Sequence, residues 1–146
     1  MAAERAGQMD ATSLGVFLAE TFPQVAGDFA IESVTAEGLV LRLRVREAHL
    51  RPGGTVSGPS IFALADVGIY LAILARIGPV ALAVTTGASI DFLRKPAADA
   101  DLLAEVRILK LGRSLAVGDV LVRSDGAEAV VARASMTYSI PPKAAG

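Results

Sequence analysis

The chain has 146 residues, a formal charge of -1 at pH 7, no cysteine and one histidine. At that length a single domain spanning residues 1–146 is expected, and the interspersed acidic and basic residues leave no nucleic-acid footprint and no polybasic membrane patch. The missing cysteines remove disulfides, thiolate nucleophiles and zinc–thiolate sites, and a cytoplasmic address follows as the expectation.

In chain order, "MAAERAGQMD" carries charges of both signs and has no apolar stretch before a small-residue cleavage site. Residues 1–11 are therefore expected to be a flexible tail, not a signal peptide. "TSLGVFLAETF", residues 12–22, has the spacing of a short amphipathic helix that Thr12 or Ser13 could cap. "GLVLRLRV" sets Leu39, Leu41, Leu43 and Val45 against Arg42, Arg44 and Arg46, the two-residue period of a half-buried strand. His49 follows that arginine-rich strand and is expected at the surface. A lone histidine also argues against a Ser-His-Asp triad, and "GTVSG" is not a nucleophile elbow.

Residues 51–78, "RPGGTVSGPSIFALADVGIYLAILARIG", read as a loop running into a helix that is apolar on nearly every side. Asp66 interrupts the run and Arg76-Ile77-Gly78-Pro79 ends it, short of the roughly 20 residues that a bilayer requires. A buried helix is expected, and something must wrap it. Pro59 suits the first helical position, with Ser57 or Gly58 just before it as the cap.

Four strands follow. "VALAVTTGASIDFL" ends near Arg94-Lys95-Pro96, and after it come "DLLAEVRILKL", "SLAVGDVLVRS" and "EAVVARASMTYSI". The last puts Val130, Ala132, Ala134, Met136, Tyr138 and Ile140 on one face, and Asp125-Gly126 before it is a hairpin signal. Short helix, strand, long helix and four strands fit an α+β fold in which one curved antiparallel sheet wraps a central helix.

This order resembles the hotdog fold, and most closely the PaaI-type acyl-CoA thioesterases, over residues 35–140. The likeness is carried by paired glycines ahead of a buried helix with a carboxylate about two turns in, by "IDFLRKPA", and by "LKLGRSLAVGDVLV". Gly54, Gly58 and Asp66 fall where the family has its glycines and its acid, whereas Arg51 stands at the asparagine position, Ser57 at the histidine position and Pro59 at the second glycine. The resemblance implies hydrolysis of an acyl-CoA by a homodimer with shared sites, with dimers pairing into tetramers. It places Thr85 and Thr86 where a hydroxyl orients the acid or the water, and Arg94, Lys95 and Arg113 where coenzyme A phosphates bind.

Physical reasoning recovers much of the same site. The N-terminus of the helix presents unpaired N–H groups and partial positive charge to an oxygen that becomes negative, and Gly58 is the natural donor because Pro59 has no N–H. Asp66 lies eight residues further on, about 12 Å along the axis. One reactive carbon cannot touch both groups of the same helix, so joint action requires two subunits with antiparallel helices. A carboxylate in so apolar a helix costs several kcal/mol unless paired. It either attacks the thioester or activates a water, or else it fixes the register of a dimer interface. Arg51 could pair with Asp66 of a neighbouring chain, contact substrate, or turn outward.

Ile61, Phe62, Ala65 and Ile69 are expected to bound a pocket for a small to medium acyl group. No metal-ligand spacing exists, no cofactor is called for, and no histidine stands in the helix or its entry loop for a hydratase. The reading is an acyl-CoA thioesterase with Asp66 as nucleophile or base and Gly58 as oxyanion donor. The alternative is a non-catalytic acyl-CoA-binding hotdog protein.

Overall fold

The computed structural model describes residues 8–142. Six strands form one sheet in the order β1-β2-β4-β5-β6-β3, with every neighbouring pair antiparallel. They span Phe29–Val34 (β1), Gly38–Leu43 (β2), Val84–Phe92 (β3), Leu102–Leu111 (β4), Leu115–Ser124 (β5) and Val130–Ser139 (β6). Among the described residues three α-helices accompany them: α1 at Ala11–Thr21, α2 at Pro23–Ala26 and α3 at Gly58–Ile77.

The alternation seen in the sequence turns one face of the sheet inward. Leu39, Leu41, Leu43, Leu102, Ala104, Val120, Val122, Ala132, Ala134 and Met136 are buried against α3, which supplies Leu64, Ile69, Leu71, Ile73 and Leu74. Each fully buried aliphatic side chain contributes about 1.5–3 kcal/mol relative to exposure, so this layer is the main source of stability. The helix is 20 residues long, and its most apolar window, of mean hydropathy 1.8, would suit a bilayer by length and composition. Here the sheet wraps it, and most of its residues are buried.

Several expectations change. β1 has no counterpart among the expected strands; it pairs only with β2, buries only Phe29, and carries a bulge between Ile31 and Ser33 that breaks its alternation. The cap of α1 is Asp10, ahead of Thr12 and Ser13. Ser13 N–H donates to Asp10 Oδ1 at 2.8 Å and Asp10 N–H donates to Ser13 Oγ at 2.9 Å, a reciprocal box. The helix therefore begins inside the segment expected to be a tail. Met9 N–H donates to Ala75 O at 3.1 Å, so this part of the segment docks on the end of α3, while residues 1–7 lie outside the described residues.

His49 is buried, not at the surface. Its Nδ1 accepts the Arg46 N–H at 3.0 Å and its Nε2 stands 3.3 Å from Asp28 Oδ2. Arg46, bonded to the same carboxylate, holds Asp28 below its ordinary range, with His49 assisting. The His49 carbonyl accepts the Ser57 N–H at 2.8 Å, so the histidine fixes the loop that delivers the start of α3.

Candidate active site

The N-terminus of α3 is built as its sequence suggests, with one shift. Ser57 is the cap, its Oγ accepting the Ser60 N–H at 3.3 Å, Gly58 is the first helical residue and Pro59 the second. Among the described residues nothing accepts the Gly58 N–H, and the ring of Phe92 lies beside that glycine. Gly54 sits in the preceding turn with φ +85, and Arg51 next to it is exposed.

Residues 61, 65 and 69 form one stripe of α3, and residues 62, 66 and 70 another, by four-residue spacing. The first stripe faces the sheet: Ile61, Ala65 and Ile69 are buried in the core and do not line the cavity beside Asp66 within this chain. The second stripe carries half-buried Phe62, half-buried Asp66 and Tyr70. Beside Asp66 opens a cavity of about 180 Å³ walled by Phe22, Val67, Tyr70, Ala83, Thr85 and Tyr138. Three of the seven aromatic residues of the chain line it, with Phe22 edge-on to Tyr70 at 6.0 Å and Tyr70 tilted against Tyr138 at 6.2 Å. A roomier groove of about 500 Å³ lies on the opposite face of the sheet, between Gly38, Arg107 and Leu121, but its Glu105 is spent on Arg123.

The carboxylate of Asp66 is held from one side. Thr85 Oγ1 donates to Asp66 Oδ1 at 2.6 Å and the Tyr138 hydroxyl donates to the same oxygen at 2.6 Å, while also lying 3.0 Å from the Asp66 carbonyl. Thr85 and Tyr138 are direct cross-strand partners in the β3–β6 ladder, which is why both hydroxyls reach one point. Burial first, and then the neighbouring Asp66, push the Tyr138 phenol well above its ordinary range, so it stays protonated and donates. Among the described residues nothing donates to Oδ2. Nor is any buried side-chain oxygen left without a partner, so Oδ2 opens to the surface.

A bulge between Thr85 and Gly87 puts Thr86 out of register. Thr86 is exposed and its hydroxyl lies 3.4 Å from the Thr137 carbonyl, so Thr85 is the threonine at the carboxylate. Tyr138 was legible only as an inward-facing residue; its hydroxyl, which must find a partner when buried, was the signal available. Arg94 and Lys95 follow the end of β3 and are exposed, Arg94 Nε donating to the Val130 carbonyl at 2.9 Å. Arg113 is exposed in the β4–β5 turn. The register pairs Phe92 with Ala132 but both Val84 and Leu115 with Ser139, so Arg94 and Lys95 stand at one end of the sheet and Arg113 at the other. One chain does not bring the three cations to one phosphate group.

The chain and its fold match known proteins. The family described as Thioesterase superfamily matches residues 53–131. The chain belongs to the thioesterase superfamily. A curated "putative esterase" of Pseudomonas aeruginosa is 30% identical over 126 residues, covering 86% of this chain and 92% of that relative. The crystal structure of a "putative thioesterase" from Silicibacter sp. TM1040 is 56% identical with a TM-score of 0.86, over 94% of this chain and 97% of that one. A point mutant of the phenylacetic acid degradation protein PaaI from Thermus thermophilus is 28% identical with a TM-score of 0.70, over 82% of this chain and 99% of that one. The protein is thus a hotdog-fold thioesterase of PaaI type, a thioester hydrolase.

Proposed function

We propose that this thioesterase hydrolyses a small to medium acyl-CoA, aliphatic or aromatic, with Asp66 acting on the thioester carbon and Gly58 of a second subunit receiving the charge on oxygen. The observation that carries the reading is the geometry of Asp66: Oδ1 is gripped by two hydroxyls while Oδ2 opens beside an aromatic-walled cavity of about 180 Å³. Water between Oδ2 and the substrate gives up a proton to Oδ2 as its oxygen bonds to the carbonyl carbon. The negative carbonyl oxygen turns to the Gly58 N–H, the C–S bond then breaks, and the thiolate takes up a proton. In the direct variant Oδ2 itself forms the C–O bond, and water later cleaves the acyl-aspartate.

The dimer in this proposal is supported by two surfaces. β3 is an edge strand paired only with β6, and it leaves Val84 and Phe92 more than half exposed. The open stripe of α3 presents Pro59, Ala63 and Val67 on the same side as Asp66. A twofold pairing of these surfaces sets the two α3 helices antiparallel, and further pairing of dimers gives a tetramer. A cytoplasmic location accords with a coenzyme A substrate.

The test is thiol release from short-chain, medium-chain and aromatic acyl-CoAs by the wild type and by Asp66→Asn. The substitution keeps the shape and is expected to slow release by about 100-fold or more while acyl-CoA still binds. Release that survives Asp66→Asn would refute the role of the carboxylate. Binding without any release from wild type would favour the acyl-CoA-binding alternative. Single turnover in heavy-oxygen water tests for direct attack followed by water cleaving the acyl-aspartate at the Asp66 carboxyl carbon, the one route that leaves the first product unlabelled and puts the label in Asp66.

A further inference from the structure

We propose that Tyr138 is a positioning residue of this thioesterase: together with Thr85 it clamps Asp66 Oδ1 and so makes Oδ2 the oxygen that meets water or substrate. The inference rests on the proposed role of Asp66 and goes beyond it by assigning separate tasks to the two carboxylate oxygens. A free aspartate rotates about its last bond and exchanges its oxygens. Here two hydroxyls from different strands converge on one oxygen, each at 2.6 Å, the length of a strong bond to a charged acceptor. Tyr138 also approaches the Asp66 carbonyl at 3.0 Å, which ties the clamp to the helix backbone as well as to the side chain.

The clamp is rigid because neither donor can move independently. Tyr138 is 3% exposed and is paired in register with Thr85 on one side and with Ala116 of β5 on the other. Around Asp66 the titratable neighbours are Tyr138 from β6 and, behind it, Tyr70 from α3 itself; β3 contributes the neutral Thr85. Among the described residues no arginine or lysine pairs with Asp66. The two hydroxyls are therefore what orient the carboxylate within the chain, in place of a cation.

Steady-state kinetics with an acyl-CoA accepted by the wild type test this, using Tyr138→Phe, Thr85→Val and Thr85→Ser. Removing either donor should lower kcat by about tenfold to 100-fold with KM little changed, the scale of one hydrogen bond to a charged group, and Thr85→Ser should restore most of the rate.

Wild-type kcat in Tyr138→Phe, with Asp66→Asn inactive, would overturn the clamp and leave the thioesterase mechanism standing. Undiminished release by Asp66→Asn would overturn the mechanism itself, and with it the clamp.

Discussion

Phe92 packs against Gly58: a Cβ built on that glycine would meet the Phe92 Cζ at 3.4 Å, an ordinary contact with a ring that is 53% exposed. Gly58 is not required by the backbone, since its φ is not positive, and the space beside it can take a methyl group. What a methyl would restrict is approach to the free N–H. Gly58→Ala should therefore melt close to the wild type and hydrolyse thioesters at least about tenfold more slowly.

Mixed dimers turn this into a test of shared sites. A dimer of one Gly58→Ala subunit and one Asp66→Asn subunit has one site with both defects and one with neither. Co-expression of the two should give about a quarter of wild-type activity after random pairing, whereas mixing the separately defective homodimers gives only the sum of their residual rates. A site contained in one chain would show no such gain, and thiol release from the purified mixtures decides between the two.

Two other glycines should respond in opposite directions. A Cβ on Gly38 would stand 1.7 Å from the Val106 carbonyl oxygen, inside the β2–β4 ladder, where neither backbone can retreat without losing pairing. Gly38→Ala should cost about 2–4 kcal/mol in urea unfolding. Gly15 lies inside α1 with nothing within 4 Å of the same position, so Gly15→Ala should add about 0.5–1 kcal/mol through helix propensity.

Acid stability should depend on the Asp28 cluster. Arg46, then His49, lower the Asp28 pKa from its ordinary 3.8, so its folded value lies below its unfolded one. Such a group contributes stability that is fully present above pH 3.8 and is lost as the pH falls through the depressed value. Asp28→Asn should be less stable than wild type near neutrality, and the gap should close in denaturant titrations as the pH falls below 3.8 through the depressed value. A gap independent of pH would refute the charge-based account.

Much of this architecture was legible in the sequence because long elements leave long patterns. The central helix, β2 and the last four strands all followed from apolar spacing, and Asp125-Gly126 marked a real turn, with Gly126 at φ +87. β1 left no such signal: one buried residue and a bulge erase the alternation. Asp66 stood out as a charge in an apolar run, but its partners did not, since spacing along β6 turns Tyr138 inward without saying which turn of α3 it meets. Thr85 and Thr86 were equal in sequence, and the bulge that separates them is a property of pairing with β6. His49 misled for a related reason. A solitary polar residue after an arginine-rich strand reads as surface until Asp28, twenty-one positions earlier, comes to meet it.

The place of β3 in the sheet also bears on how the chain is made. β3 is the third of the six strands to be synthesised, yet its sole sheet neighbour is β6, the last to emerge. Until Val130–Ser139 leaves the ribosome, α3 lacks part of its cover and Thr85 has no cross-strand partner. Fold completion and assembly of the surroundings of Asp66 are thus a single late event. A nascent chain cut short before Tyr138 would lose both together, and would leave an apolar helix and an unpaired strand for chaperones to meet.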